Sequence, residues 1–206
     1  MPAKTLSVKA LVLMKAQSAG GYERLSLLTR DEGLLHAMRR PAAKGTVPDL
    51  FDHAELLLSA RQGGAWFMNE YVPERRHAGI GASYSALAAA SAWARLVLAN
   101  APSMDGTDGL YDLSLKTFDA LDRGLHAELV LAKALFSFAV SEGLPAREEW
   151  LPRLSQDKRD AVSALLFKPV SGADEALVAA HADAELCESL TRWMCTEHHI
   201  IQPRAE

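Results

Sequence analysis

The chain has 206 residues, of which 49% are hydrophobic and 23% charged, with a formal net charge of -4. This is an ordinary globular composition, and no apolar run approaches the roughly 20 residues needed to span a bilayer. The start lacks the basic-then-apolar order of a signal peptide, and Cys187 and Cys195 are too few to staple a secreted scaffold, so a cytoplasmic protein with no membrane partner is expected. The charge is unevenly spread. Residues 1–80 hold 11 basic and 8 acidic residues, a balance of +3, and the remaining 11 basic and 18 acidic residues leave -7 for 81–206. That sign change points to different partners for the two parts.

In chain order, Leu6–Met14 is a β-rich run, followed by a loop containing Gly20 and Gly21. Arg24–Arg30 and Leu34–Arg39 flank Asp31-Glu32-Gly33, a hairpin signal in which glycine supplies the positive φ of a short turn. After a turn-rich loop (Pro41, Lys44, Gly45, Pro48, Asp49), His53–Ala60 and Ala65–Val72 form a second hairpin about Arg61-Gln62-Gly63-Gly64. Leu56, Leu58 and Ala60 share one face, as do Trp66, Met68 and Val72. Five short strands at this spacing predict a small barrel; an open sheet packed on helices is the alternative.

Beyond Pro73 the period becomes helical. Ser83–Asn100 reads as a buried, alanine-rich helix with Leu87, Trp93, Leu96 and Leu98, ended by Asn100-Ala101-Pro102. Asp108 is placed to cap a second helix (Leu110, Leu113, Phe118, Leu121) that stops near Gly124. A third runs through Leu125, Leu129, Ala132, Phe136 and Val140 to Gly143, and Ser155–Phe167 and Ala173–Glu197 are the fourth and fifth. In the last, Leu177, Ala184, Cys187 and Met194 line one face. The expected fold is therefore α+β: a slightly basic barrel over 1–76 and an acidic, all-α helical domain over 77–206.

Catalytic motifs are scarce, and no enzyme, cofactor or metal is expected. Gly79-Ile80-Gly81-Ala82-Ser83 is half a dinucleotide loop, but Tyr84 replaces the third glycine and no βαβ unit surrounds it. Cys187, Cys195, His198 and His199 form the only metal-like group. The two cysteines lie eight residues apart on a helix, roughly 80° around its axis, whereas zinc ligands usually pair two to four residues apart on a turn. Cys187 on an apolar stripe reads as a buried thiol, and an enzyme using this group ranks last among the readings. The basic residues of the strand-rich part carry more. Arg24, Arg30, Arg39, Arg40 and Lys44 suit phosphate contacts, with Tyr22, Trp66 and Phe67 as candidates for stacking on bases.

Val8–Arg40 resembles the start of the RecO family of bacterial recombination mediators. The resemblance lies in Ala10-Leu11-Val12-Leu13, Leu25–Leu28 followed by Thr29-Arg30, the Asp31-Glu32-Gly33 turn and Arg39-Arg40-Pro41, and more loosely in Leu131–Pro145. It implies a five-stranded OB-fold followed by a helical domain, binding of single- or double-stranded DNA, and strand annealing without nucleotide hydrolysis. It also implies a RecR-like partner and the acidic C-terminal tail of a single-strand-binding protein as partners. Arg123 and Lys133, on or beside the third helix, are the candidates for meeting that tail. The alternative is an interaction adaptor of the same fold with little DNA affinity, motivated by the acidic balance and the thin basic loop.

Overall fold

The computed structural model describes residues 4–41, 46–60, 64–104, 106–167 and 184–202. The architecture is α+β: five strands, then helices. The strands are β1 (Thr5–Ser18), β2 (Tyr22–Thr29), β3 (Leu34–Arg39), β4 (His53–Ala60) and β5 (Trp66–Arg75). The helices are α1 (Ala78–Gly81), α2 (Tyr84–Asn100), α3 (Asp108–Asp122), α4 (Ala127–Ser141), α5 (Gln156–Phe167) and α6 (Ala184–Glu197), with a π turn at Ala146–Trp150 between α4 and α5.

All sheet neighbours are antiparallel except β3 and β5, which meet in parallel over Ala37–Met38 and Trp66–Phe67. The order β1-β2-β3-β5-β4 closes on itself because β1, the longest strand, pairs with β4 through Thr5–Leu11 and with β2 through Ala10–Ser18. Its inner face is apolar: Ala10, Val12, Leu25, Leu27, Ala37, Ala54, Leu56, Leu58 and Tyr71 form one buried cluster. The first hairpin turns where glycine was expected to allow it, with Gly33 at φ 69°. The expected turn at Arg61-Gln62-Gly63 lies outside the described residues, as does Lys44.

β5 runs through Pro73 to Arg75 rather than ending at Val72. Proline is tolerated because β3 adjoins β5 only at its start, so the missing N–H falls on a side that needs no ladder bond.

Two compact units divide the chain: residues 1–77 with 100–115, and residues 78–99 with 116–206. A cut at residue 76 therefore misses one feature: the start of α3 belongs with the strands. Its side chains explain this. The Thr107 hydroxyl donates to the Thr29 carbonyl at 3.1 Å, Tyr111 hydrogen-bonds His53 at 2.7 Å, and Arg30 pairs with Asp112. Thr107 precedes the helix, its carbonyl accepting from the Tyr111 amide at 2.7 Å, and the expected cap Asp108 is the first helical residue instead.

In the helical unit, α2 buries Ala86, Ala89, Ala90, Trp93, Leu96 and Val97, but Leu87 is 38% exposed, contrary to its expected place in the core, and Val140 is also exposed. Trp93 packs edge-on to Phe138 of α4. α3 and α4 both end in paired backbone bonds around a positive-φ glycine. Gly124 N–H reaches Leu121 O and Leu125 N–H reaches Ala120 O; Gly143 and Leu144 repeat this with Val140 and Ala139. α6 begins at Ala184, and Leu177 lies outside the described residues.

The glycine-rich stretch at Gly79 has a packing role. A Cβ there would lie 2.3 Å from the Asp122 carbonyl oxygen, and the Gly79 amide donates to Asp122 Oδ1 at 2.8 Å. Gly79→Ala is expected to lower stability by about 1–3 kcal/mol through overpacking, measurable as a lower urea midpoint with an unchanged slope. An unchanged midpoint would remove this account of Gly79.

Candidate nucleic-acid interface

Strand alternation decides which basic residues share a surface. Neighbouring residues on a strand point to opposite faces, so Arg39, the last residue of β3, and Arg40, just past it, are expected on opposite sides. Leu25 and Ala37 face inward, and therefore so do Glu23 and Arg39, which are register partners. The Arg39 side chain is 5% exposed and its Nη1 lies 3.0 Å from Glu23 Oε2. Lys15 approaches the other Glu23 oxygen at 3.9 Å and donates to the Pro48 carbonyl at 2.8 Å. This group closes one end of the interior. Arg39, expected at phosphates, is thus a structural cation, corrected by the period of two.

The outward set on β2 and β3 is Tyr22, Arg24 and Ser26 with His36 and Met38, joined by Arg40 just past the end of β3 and by Phe67, the register partner of Met38 on β5. Arg24 and Arg40 are exposed, and neither has an acidic partner among the described residues. The Arg40 guanidinium lies 5.5 Å from the centre of the Tyr22 ring, and Tyr22 meets Phe67 edge to face with centroids 5.7 Å apart. Trp66, on the opposite face, packs against the inner core, with Lys4 Nζ 5.7 Å from its ring centre. The aromatic and basic residues of this face are legible by type, whereas His36 and Met38 follow from continuing the alternation back from Arg40 into β3.

His36 Nδ1 is 3.2 Å from Ser26 Oγ. Partial burial, and secondarily the charge of Arg24, hold its imidazole below the ordinary histidine pKa. The free protein therefore resists protonating a group on this face.

The other expected contacts fall elsewhere. Arg30 is paired with Asp112 and lies 5.7 Å from the Tyr111 ring centre, away from the Arg24–Arg40 face. Arg123 follows α3, where its Nε donates to the Asp119 carbonyl at 3.0 Å. Lys133 is half-buried in mid α4, and burial pulls its pKa down. The cysteines and histidines near the C-terminus do not converge. Cys187 is buried with Sγ 3.4 Å from the Glu128 carbonyl, while the His198 ring leans at 60° against Trp193 and approaches Glu149 at 3.4 Å. Glu149, Glu197 and His198 come together there, but Glu197 is held bidentately by Arg153 at 2.5 and 2.7 Å, a cation where a metal would sit. Among the described residues no helix is long and apolar enough to cross a membrane.

No protein-family model matches the chain, and no curated protein matches it.

Proposed function

We propose that the chain is a cytoplasmic, RecO-like DNA-binding protein that promotes annealing of complementary strands, and that its closed sheet is an OB-fold. The ring order β1-β2-β3-β5-β4 is the support for the fold. In that fold the β2–β3 face carries oligonucleotides. The observation that carries the function lies on that face: two arginines without acidic partners among the described residues share it with Tyr22 and Phe67. Arginines would neutralise phosphates while the aromatic rings stack on unpaired bases, the combination single-strand binders use. Annealing needs no catalytic residue, only strands held with their bases accessible. The helical unit, with Arg123 and Lys133, would dock a RecR-like partner or the acidic tail of a single-strand-binding protein.

The test follows fluorescence quenching as two labelled complementary oligonucleotides pair. The wild-type chain should accelerate pairing at low salt, and the double variant Arg24→Ala/Arg40→Ala should not. No acceleration by the wild type would sink the reading.

A second reading, an interaction adaptor with little DNA affinity, is favoured by the same geometry that removes Arg30 and Arg39 from the face. It predicts normal partner docking with no strand binding.

His36 gives the proposal a pH signature. Phosphates beside Arg24 would favour the imidazolium that the free protein disfavours, so binding would take up a proton. Affinity should rise a few-fold as pH falls from about 7.5 to about 5.5. His36→Gln should flatten that dependence, and a wild-type curve as flat as the variant's would count against His36 lying at the interface.

A further inference from the structure

β1 is longer than its partnership with either neighbour. It pairs with β2 only from Ala10 onward, so Thr5–Lys9 has a strand on one side alone, that of β4. The Lys4 carbonyl accepts from the Ala60 amide at 2.8 Å, which fixes the alternation. Leu6 and Val8 direct their amide groups to β4, and Thr5, Ser7 and Lys9 direct theirs to the open edge. Leu6 and Val8 have side chains on the inner core yet remain half-exposed, as expected where no strand covers their flank.

A cleft of about 370 Å³ runs along this edge. One wall is Leu6–Lys9, and the other is the β2–β3 turn (Thr29–Glu32) with Tyr111 and Leu115 of α3. Its two cations are already matched, Lys9 by Glu74 at 2.5 Å and Arg30 by Asp112. Asp31 and Glu32 are exposed and have no cationic partner among the described residues. The unpaired strand edge supplies main-chain hydrogen bonds, the apolar wall supplies seats for alternate side chains, and the residual charge is negative.

We propose that this cleft binds an extended, basic segment of a partner protein, which adds to the sheet as a strand beside Thr5–Lys9. Strand addition draws affinity from the main chain and selectivity from alternate side chains. Lysine or arginine on the segment would meet Asp31 and Glu32, and its apolar residues would lie on Leu6, Val8 and Leu115. Nucleic acid is disfavoured here by the same two carboxylates. The site shares no residue with the Arg24–Arg40 face, so it stands or falls independently of DNA binding.

The test uses the full chain and a fluorescein-labelled peptide of about eight residues alternating lysine and valine, a typical strand length. Binding in roughly the micromolar range is expected, with a glutamate–valine peptide at least about tenfold weaker. Hydrogen exchange should show the Ser7 and Lys9 amides gaining protection on binding while those of Leu6 and Val8 do not change. Ser7→Pro removes an edge donor without touching a main-chain bond to β4, losing there only the exposed bond from the Ser7 hydroxyl to Glu55 Oε1 at 3.2 Å, and should abolish binding. If that variant fails to fold, Asp31→Lys/Glu32→Lys serves instead and should weaken binding at least about tenfold. No binding, binding unaffected by these changes in folded protein, or protection elsewhere overturns the proposal. So does a homodimer that Ser7→Pro dissociates, since the edge would then belong to a second copy.

Discussion

Arg24→Ala/Arg40→Ala should weaken binding of a short single-stranded oligonucleotide by about one to two orders of magnitude at low salt, each lost phosphate contact being worth roughly tenfold. The salt dependence should flatten as well, the log–log slope losing about 0.7 for each contact removed. The fold should be undisturbed, because both side chains are exposed and surface substitutions of this kind stay within about 0.5 kcal/mol. Tyr22→Ala or Phe67→Ala should reduce affinity by about 1–3 kcal/mol per base lost from the stack, with the salt slope retained. Anisotropy titrations over a range of salt concentrations separate the two classes. An arginine variant that loses affinity without flattening the slope would show that it does not contact phosphate.

The second large effect concerns stability. Arg39 and Glu23 are both mostly buried, and Arg39→Ala would leave the Glu23 carboxylate inside the closed sheet with only Lys15 at 3.9 Å. Breaking such a pair from one side costs about 3–5 kcal/mol. The adjacent Arg40→Ala should cost almost nothing in stability. Two neighbouring arginines thus report opposite readouts, Arg39 in denaturant midpoint and Arg40 in strand affinity. Removing Glu23 together with Arg39 should restore much of the loss, because the stranded charge disappears. If Arg39→Ala unfolds at the wild-type midpoint, the buried pair does not stabilise the sheet.

The strands were legible because their signals were local. Alternation marked most of their faces, and Gly33 sat where a hairpin needs a positive φ; in β5 a bulge between Met68 and Glu70 turns Tyr71 inward and leaves Val72 exposed instead of sharing a face with Trp66 and Met68. Gly124 and Gly143 marked two helix ends for the same reason. What was not legible depended on distant partners. Nothing near Thr107 announces that its hydroxyl reaches the Thr29 carbonyl, so the start of α3 could not be assigned to the strand-rich unit. Pro73 looks like a strand end in the sequence because what adjoins it on the sheet is set by distant residues. At the candidate site, Tyr22, Arg24, Arg40 and Phe67 were chosen by residue type and meet on one face. Arg30 and Arg39 were chosen by the same rule, but each finds an acid first: Asp112 lies far along the sequence, and Glu23 becomes a neighbour of Arg39 only through the β2–β3 register. Charge counts rank such residues equally; pairing separates them.

Grip of a single strand by the β2–β3 face is the proposal to test first. Its most direct measurement is a low-salt anisotropy titration of a labelled oligothymidine with the wild-type chain. A dissociation constant of about micromolar or tighter, weakening with salt along a log–log slope near -1.4 for about two phosphate contacts, is the predicted result. No rise in anisotropy at low salt, or binding that ignores salt, would contradict it.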